Sequence, residues 1–172
     1  MPANIEIKVR VEDFDAMRSI AASLSDRPVE VIPQEDTFFE TPKGRLKLRA
    51  LSPGSGYLIY YERPDQSGPK RSNYTLAETH DPSSLKTTLT EALGLRGVVR
   101  KTRHLYMVGQ TRIHLDQVEG LGDFLELEVV LHEGQSDAEG QAIAEELMQA
   151  LGVDRSALLE GAYMDLLEGL VS

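Results

Sequence analysis

Apolar and polar residues alternate strictly along residues 4–11, near the start of the chain. Ile5, Ile7 and Val9 share one face of the predicted strand, because successive side chains of a strand point to opposite sides. The opposite face carries only polar and charged residues, namely Asn4, Glu6, Lys8 and Arg10. Strand-like segments recur between turn residues along the chain. The eight predicted strands cover residues 4–11, 29–40, 45–51, 57–63, 70–79, 98–108, 111–118 and 122–131.

Helical spacing of apolar residues replaces this alternation in four places. Asp81 and Ser136 are of the residue types that cap helix N-termini, and Gly152 is of the type that ends them. The predicted helices cover residues 12–24, 82–93 and 136–151, and a final helix follows Asp154. The pattern therefore predicts an α+β fold with helices outside a sheet of about eight strands.

The polar faces of five predicted strands carry charged residues or residues that bind metals, instead of the Thr, Ser and Gln that half-exposed strands usually show. They are Glu6, Lys8 and Arg10; Arg45, Lys47 and Arg49; Lys101 and Arg103; Arg112, His114 and Asp116; and Glu126 and Glu128. If helices cover the apolar faces, the charged faces line a barrel interior. Like charges in a partly dry lumen would need a polyanion and a divalent cation to neutralise them. The alternative is an open sheet with solvated charged faces.

Composition narrows the classes of partner. The 172 residues contain 18 Lys and Arg against 28 Asp and Glu, and the net charge of −10 argues against nucleic acid or an anionic membrane. The chain has no Cys, which excludes disulfides and Cys-ligated zinc. It also lacks a leader pattern and a long apolar run, so we expect a cytoplasmic protein with one domain over residues 1–172.

The charge is unevenly distributed. After residue 110 the chain has 14 acids and only two bases, Arg112 and Arg155. In a single domain the front bases must meet the rear acids, which is the pairing that a metal-bound polyphosphate needs. An acidic, solvated pair of C-terminal helices is the alternative interpretation.

Seven segments in a fixed order carry a family resemblance: residues 6–8 (EIK), 34–39 (QEDTFF), 44–49 (GRLKLR), Lys101 with Arg103, 113–116 (IHLD), 122–128 (GDFLELE) and 161–167 (GAYMDLL). In these motifs the chain resembles the CYTH, or triphosphate tunnel metalloenzyme, superfamily over nearly its whole length. That superfamily includes class IV adenylyl cyclases, thiamine triphosphatases and inorganic tripolyphosphatases. The resemblance implies an eight-stranded antiparallel barrel, the triphosphate tunnel, with a triphosphate on its basic floor and one or two Mg²⁺ or Mn²⁺ ions.

Roles follow from residue chemistry and motif order together. Hard divalent ions take carboxylate oxygens, so the predicted metal ligands are Glu6, Asp116, Glu126 and Glu128. Arg binds phosphate with two donors and Lys acts as a point charge, so the predicted phosphate ligands are Lys8, Lys47, Arg49, Lys101, Arg103 and Arg112. For a further set, contact with the ligand and a bland structural role are both open: Asn4, Arg10, Arg45, Arg63 and His114.

Two positions depart from the family pattern. Asn4 stands where the first Glu of the opening motif belongs, and we expect one metal site to be intact and a second to be weaker or differently built. Glu62 stands where many relatives have a lumen Lys. Either Arg63 takes its place through a register change or the tunnel accepts another phosphate geometry.

Three functions remain open on the sequence. The motif spelling favours an adenylyl-cyclase-like enzyme that converts ATP to cyclic AMP and pyrophosphate. The second is hydrolysis of tripolyphosphate or an organic triphosphate, and the third is a non-catalytic nucleotide or polyphosphate-binding protein. The cyclase branch of the family also implies a homodimer.

Overall fold

The computed structural model describes residues 2–171, and its centre is a closed barrel of eight antiparallel strands. The strands are β1 (Ala3–Arg10), β2 (Glu30–Phe39), β3 (Arg45–Ser52), β4 (Ser55–Glu62), β5 (Lys70–Thr79), β6 (Leu95–Val108), β7 (Thr111–Val118) and β8 (Gly122–Val130). Around the barrel they follow the order β1, β5, β4, β3, β2, β6, β7, β8, and β8 pairs with β1 to close the ring. The prediction of an eight-stranded antiparallel barrel is confirmed, and the open sheet is wrong.

Strand register determines which side chains face the lumen. Across β1 and β8, Glu6 pairs with Glu128 and Lys8 pairs with Glu126. Because alternate side chains point to opposite sides of a strand, these four charges all point inward. The intervening apolar residues point outward and are almost fully buried; they include Ile5, Ile7, Leu125 and Leu127.

The hydrophobic core therefore lies between the barrel wall and the helices. The helices are α1 (Phe14–Leu24), α2 (Pro82–Leu93), α3 (Asp137–Leu151) and α4 (Tyr163–Val171). The largest apolar cluster joins β1, β7 and β8 to α1 and α3, and its members include Ile113, Leu115, Ala21 and Leu151. Each large apolar side chain buried there contributes about 1.5–3 kcal/mol, which offsets the cost of a charged interior.

Side-chain caps set the starts of the first three helices, as the sequence predicts for two of them. The carboxylates of Asp13 and Asp81 accept hydrogen bonds from backbone N–H groups of the first turn. Ser136 forms a reciprocal capping box with Glu139 at the start of α3. In residues 2–171 no helix has the length and apolar character needed to cross a membrane.

The final helix predicted after Asp154 is present, but it does not begin at that residue. The structure has a 3₁₀ turn there, Arg155–Ala157, and the last helix begins only at Tyr163. Gly161 lies between the turn and α4 with φ of 76°. This backbone conformation is not helical, and glycine adopts it more readily than other residues do. The segment between the turn and α4 runs beside the end of β1, where Leu158 forms a bridge with Val9 and the Leu159 N–H donates to the Lys8 carbonyl.

Candidate active site inside the barrel

A cavity of about 390 Å³ occupies the barrel interior. The predicted metal and phosphate ligands that line it come from β1, β3, β6, β7 and β8, and they are Glu6, Lys8, Lys47, Arg49, Lys101, Arg103, Arg112, Glu126 and Glu128. Asn4, Arg63 and His114 also line the cavity. The structure thus brings together residues from positions 4 to 128 of the chain.

A larger groove of about 760 Å³ lies outside the barrel beside α2. Its ion pairs join Glu35 to Lys86 and to Arg100, whose side chains are 34–55 % exposed. Exposed pairs of this kind contribute little energy and create no special reactivity. Apart from Arg112, the charged side chains within the barrel are no more than 17 % exposed, so we take the tunnel as the candidate site.

Three side chains of β7 and β8 form a candidate metal centre. One potential ligand atom from each of His114, Glu126 and Glu128 lies within 4.8 Å of the others. Burial and the charge of Arg103 lower the pKa of His114 to about 4, so its imidazole is neutral near pH 7. Its buried Nδ1 atom has no hydrogen-bond partner. Two carboxylates and a neutral imidazole, whose Nε2 atom lies 3.6 Å from Glu128 Oε1, fit a divalent cation.

The two Glu residues of this centre are ionised in spite of their burial. Burial opposes ionisation of Glu128, but His114 and Arg112 lower its pKa to about 2. Burial likewise opposes ionisation of Glu126, but Lys8 and Arg103 hold its pKa well below the usual range. The Lys8 Nζ atom lies 3.5 Å from Glu126 Oε1. Both carboxylates are therefore available in the charged form that binds metal ions.

Glu6 lies on β1 beside this centre. Its Oε2 atom accepts a hydrogen bond of 3.1 Å from Arg63 Nη1. Burial and the negative charge of Glu128 raise the pKa of Glu6 to about 7. A nearby cation would favour the ionised form, so Glu6 has the position and the chemistry of an additional ligand. Its role as a metal ligand stays a prediction.

Asp116, also predicted as a metal ligand, has a different environment. Both of its oxygens accept hydrogen bonds from Arg103, at 2.8 and 2.7 Å, and Oδ2 accepts another from the Tyr163 hydroxyl at 2.8 Å. Asp116 is fully buried and lies outside the candidate metal trio. This geometry favours a role in orienting the Arg103 guanidinium, because fork-shaped pairing fixes the plane of an Arg side chain.

Asp36 is the centre of the cationic side of the tunnel. It accepts two hydrogen bonds of 2.8 Å from Arg49 and one of 2.7 Å from Lys101, and Lys47 Nζ lies 3.6 Å away. Burial and the charge of Arg49 lower the pKa of Lys47 to about 7. Burial lowers the pKa of Lys101 to about 8, although Asp36 opposes that shift. Three cations thus share one carboxylate, which leaves positive charge for an anionic ligand.

The segment before α4 contacts lysine side chains at one end of the tunnel, and Ala162 and Tyr163 line the cavity there. Lys8 donates a hydrogen bond to the Gly161 carbonyl, and its Nζ atom lies 3.9 Å from the centroid of the Tyr163 ring. Lys70 is almost fully buried at this end and donates to the carbonyls of Gln66 and Leu159. These contacts favour entry of a ligand from the opposite end.

Arg10 and Arg45 do not line the tunnel. Arg10 is exposed, donates to the Leu121 carbonyl and lies over the Phe124 ring. Arg45 donates to Asp165 Oδ2 at 2.6 Å. Both arginines therefore pair with groups outside the tunnel, Arg10 with the turn before β8 and Arg45 with α4.

Strand parity resolves the question raised by Glu62. Tyr57, Ile59, Tyr61 and Arg63 line the tunnel, so the odd positions of β4 and the residue after it point inward. Glu62 points outward, where it accepts a hydrogen bond from Tyr60 and pairs with Lys43. Arg63 supplies the inward cation with no register shift.

Sequence reasoning assigned no role to three residues that organise this site: Asp36, Tyr163 and Lys70. Asp36 lies within the QEDTFF segment, and its inward parity follows from that of Gln34. The signal that the sequence offered for Asp36 was its place in this motif. Tyr163 and Lys70 had no comparable signal, because their positions depend on how the C-terminal segment crosses the barrel end.

Comparison with known proteins agrees with this geometry. The family profile described as the CYTH domain matches residues 2–163. The chain belongs to the CYTH domain family. Adenylate cyclase CyaB of Aeromonas hydrophila is 26 % identical to it over 95 % of this chain and 88 % of the relative.

Solved structures of similar fold cover nearly the whole chain. The PH1012 protein of Pyrococcus horikoshii has a TM-score of 0.85 and 27 % identity, over 95 % of this chain and 98 % of that one. HpAC1 of Hippeastrum, a candidate adenylyl cyclase described as having a dominant triphosphatase activity, has a TM-score of 0.70. At 16 % identity, over 98 % of this chain and 96 % of its own, HpAC1 supports the CYTH fold alone.

Proposed function

We propose that this CYTH protein is a metal-dependent enzyme that binds a triphosphate inside its barrel and converts ATP to cyclic AMP and pyrophosphate. The observation that carries the proposal is the pairing, within one cavity, of a cation-rich side with a metal-binding trio. The similarity to adenylate cyclase CyaB supports this choice among the reactions of triphosphates.

The chain's own residues supply binding and orientation. Lys47, Arg49 and Lys101 line the cavity and are placed to bind phosphate oxygens, and Glu126 and Glu128 would hold Mg²⁺ or Mn²⁺ together with His114. When bound, the ion neutralises phosphate charge. In the reaction the ribose 3′ hydroxyl attacks the α-phosphorus, the bond to the bridging oxygen breaks, pyrophosphate leaves and the hydroxyl proton is lost to water. Such transfers need positioning and charge neutralisation more than a side-chain nucleophile.

Hydrolysis of an inorganic or organic triphosphate is the second candidate. The same cations would hold a triphosphate chain whichever phosphorus is attacked, and an attacking water needs no further side chain. The third candidate, a binding protein without activity, now rests on Asn4 alone, because Glu62 lies outside the tunnel.

One assay distinguishes the three candidates. The protein is incubated with Mg²⁺ or Mn²⁺ and either ATP or tripolyphosphate, and the products are separated. Cyclic AMP with pyrophosphate supports the cyclase, orthophosphate supports the hydrolase, and binding without turnover supports the binding protein. Lys101→Met should abolish turnover, whereas Arg100→Met, on the same strand but facing solvent, should leave it intact.

Four other expectations stay predictions: the choice between Mg²⁺ and Mn²⁺, a homodimer, a cytoplasmic location and a single domain over residues 1–172. Light scattering tests the homodimer directly. One species of 19.1 kDa, the mass of a single chain, would contradict it.

A further inference from the structure

The first residue of α4 contacts the buried charges of the tunnel. Tyr163 lines the cavity and is only 5 % exposed. Its hydroxyl donates a hydrogen bond of 2.8 Å to Asp116 Oδ2. The same oxygen accepts a hydrogen bond of 2.7 Å from Arg103 Nη2. Tyr163 therefore holds the carboxylate with which Arg103 pairs.

Asp116 lies behind Arg103 as seen from the cavity, because Arg103 lines the cavity and Asp116 does not. The fork between them uses the Nε and Nη2 atoms of the guanidinium. Such pairing fixes the plane of the guanidinium and leaves the donors of Nη1 for another partner. The orientation of Asp116 thus determines how Arg103 is presented to a ligand.

The hydroxyl of Tyr163 is a permanent donor to a charged acceptor. Burial and the negative charge of Glu126 raise the pKa of Tyr163 well above its ordinary value, so the hydroxyl keeps its proton. Burial opposes ionisation of Asp116, but Arg103 lowers the pKa of this carboxyl, so the acceptor is ionised. A hydrogen bond to an ionised carboxylate is stronger than one between neutral groups.

The ring of Tyr163 contacts two lysines that also line the cavity. The Lys8 Nζ atom lies 3.9 Å and the Lys101 Nζ atom 5.6 Å from the ring centroid. A cation within about 6 Å of an aromatic face is attracted to it. Phe124 packs against the same ring in an edge-to-face arrangement, with 5.0 Å between the centroids. These contacts constrain the ring, and with it the direction of the hydroxyl.

Ion pairs fix the start of α4 on the barrel. Asp165 Oδ2 accepts hydrogen bonds from the Ala162 N–H and from Arg45, which begins β3. Asp165 Oδ1 accepts a hydrogen bond of 2.6 Å from Arg96 on β6. Tyr163 lies between Ala162 and Asp165 in the chain, so these bonds to two strands also hold its backbone in place.

We infer that Tyr163 is a positioning residue for phosphate binding, which orients the Arg103 guanidinium through Asp116. This inference rests on the proposed function, because it assumes that Arg103 binds phosphate. The competing view is that Tyr163 only stabilises the packing of α4 and that Asp116 orients Arg103 without it. Tyr163→Phe separates the two views, since it removes the hydroxyl and keeps the ring with its lysine contacts.

A double-mutant cycle with Arg103→Lys tests whether Tyr163 acts through Arg103. Calorimetry measures the binding of tripolyphosphate with Mg²⁺ to the wild type, both single variants and the double variant. We expect Tyr163→Phe to weaken binding about fivefold in the wild-type background. In the Arg103→Lys background it should weaken binding by no more than about 1.5-fold, because lysine cannot form the fork with Asp116.

Tyr106→Phe is the matched control for this cycle. Tyr106 is also a buried tyrosine, but it belongs to the core outside the tunnel and does not line the cavity. Loss of its hydroxyl should leave tripolyphosphate affinity unchanged. Thermal melts of all the variants check that each of them is folded.

The orientation of Arg103 can also be measured without a ligand. Its Nε–H group gives a signal in proton–nitrogen correlation spectra, which is assigned by its loss in Arg103→Lys. We expect this signal to shift or broaden in Tyr163→Phe and to stay unchanged in Tyr106→Phe.

The outcomes separate this inference from the proposed function. Equal weakening of binding by Tyr163→Phe in both backgrounds, or an unchanged Arg103 signal in that variant, would overturn the positioning role and leave a triphosphate enzyme intact. A wild-type protein that does not bind tripolyphosphate would overturn the proposed function and the positioning role together.

Discussion

The buried charges on the two sides of the tunnel are neutralised to different extents. On the anionic side, Glu6, Glu126 and Glu128 each have a cation nearby, and those cations are Arg63, Lys8 and Arg112. On the cationic side, Lys47, Arg49 and Lys101 share the single carboxylate of Asp36. The first side is close to neutral without a ligand, whereas the second keeps an excess of positive charge.

The difference indicates where each part of a metal triphosphate complex belongs. Phosphates gain most from the cationic side, where they neutralise charge that Asp36 alone leaves unbalanced. A metal ion gains most from the anionic side, where the carboxylates of Glu126 and Glu128 lie close to the neutral imidazole of His114. Buried, unbalanced charge also costs stability, which is the usual trade between a binding site and the fold that holds it.

The largest expected effect comes from removing the carboxylate of the cationic side. Asp36→Asn leaves three buried cations without their anion, and we expect a loss of about 3–5 kcal/mol in the free energy of unfolding. This corresponds to a fall in Tm of about 10 °C for a chain of this size. Added pyrophosphate should raise the Tm of Asp36→Asn more than that of the wild type.

The neighbouring Glu35 supplies the control for that melt. Glu35 is also paired with two cations, but its pairs lie at the surface. Glu35→Gln should lower Tm by no more than about 2 °C. Equal effects of the two substitutions would contradict the view that Asp36 neutralises a buried cluster.

The next effect concerns the anionic side. Glu128→Gln removes one charged ligand from the metal trio, and we expect Mn²⁺ affinity to fall about 10–100-fold in calorimetry. Glu119→Gln, in the turn between β7 and β8, is the control because Glu119 is exposed. Unchanged Mn²⁺ affinity in Glu128→Gln would place the ion elsewhere.

The remaining effect is confined to a range of pH and is set by Lys47. Its pKa is about 7 in the folded protein, below the ordinary value of 10.5. Between these values the unfolded chain binds more protons, so Lys47 makes stability rise as pH increases from about 7 towards 10.5 and lowers it below pH 7. Lys47→Met should raise Tm at pH 6 and weaken the rise at higher pH, because it removes the cost of charging a buried amine.

Melts of both proteins from pH 6 to pH 10 measure this difference. A Lys47→Met protein whose Tm follows the wild type at every pH would show that Lys47 keeps its ordinary pKa. The same titration with tripolyphosphate should show weaker binding to the wild type above pH 7, because an uncharged amine no longer attracts phosphate.

Local pattern was sufficient for the barrel wall. The alternation of Ile5, Ile7 and Val9 with charged residues determined which face of β1 is apolar, because strand geometry has a period of two. The turn residues predicted the hairpins that join most of the later strands. The caps at Asp81 and Ser136 predicted where two helices begin. These features depend on neighbours within a few residues.

Tertiary structure decided what each charge does. In the sequence, Asp116 and Glu126 are both acidic residues of adjacent strands. In the structure, Asp116 accepts hydrogen bonds from Arg103 and Tyr163, whereas Glu126 lies near His114 and Glu128. The partner of a buried charge is set by distances between chain-distant groups, and a sequence pattern does not contain those distances. The sequence by itself determined that a charged interior exists, whereas barrel closure and the C-terminal segment decided which end is closed and which charges remain free for a ligand.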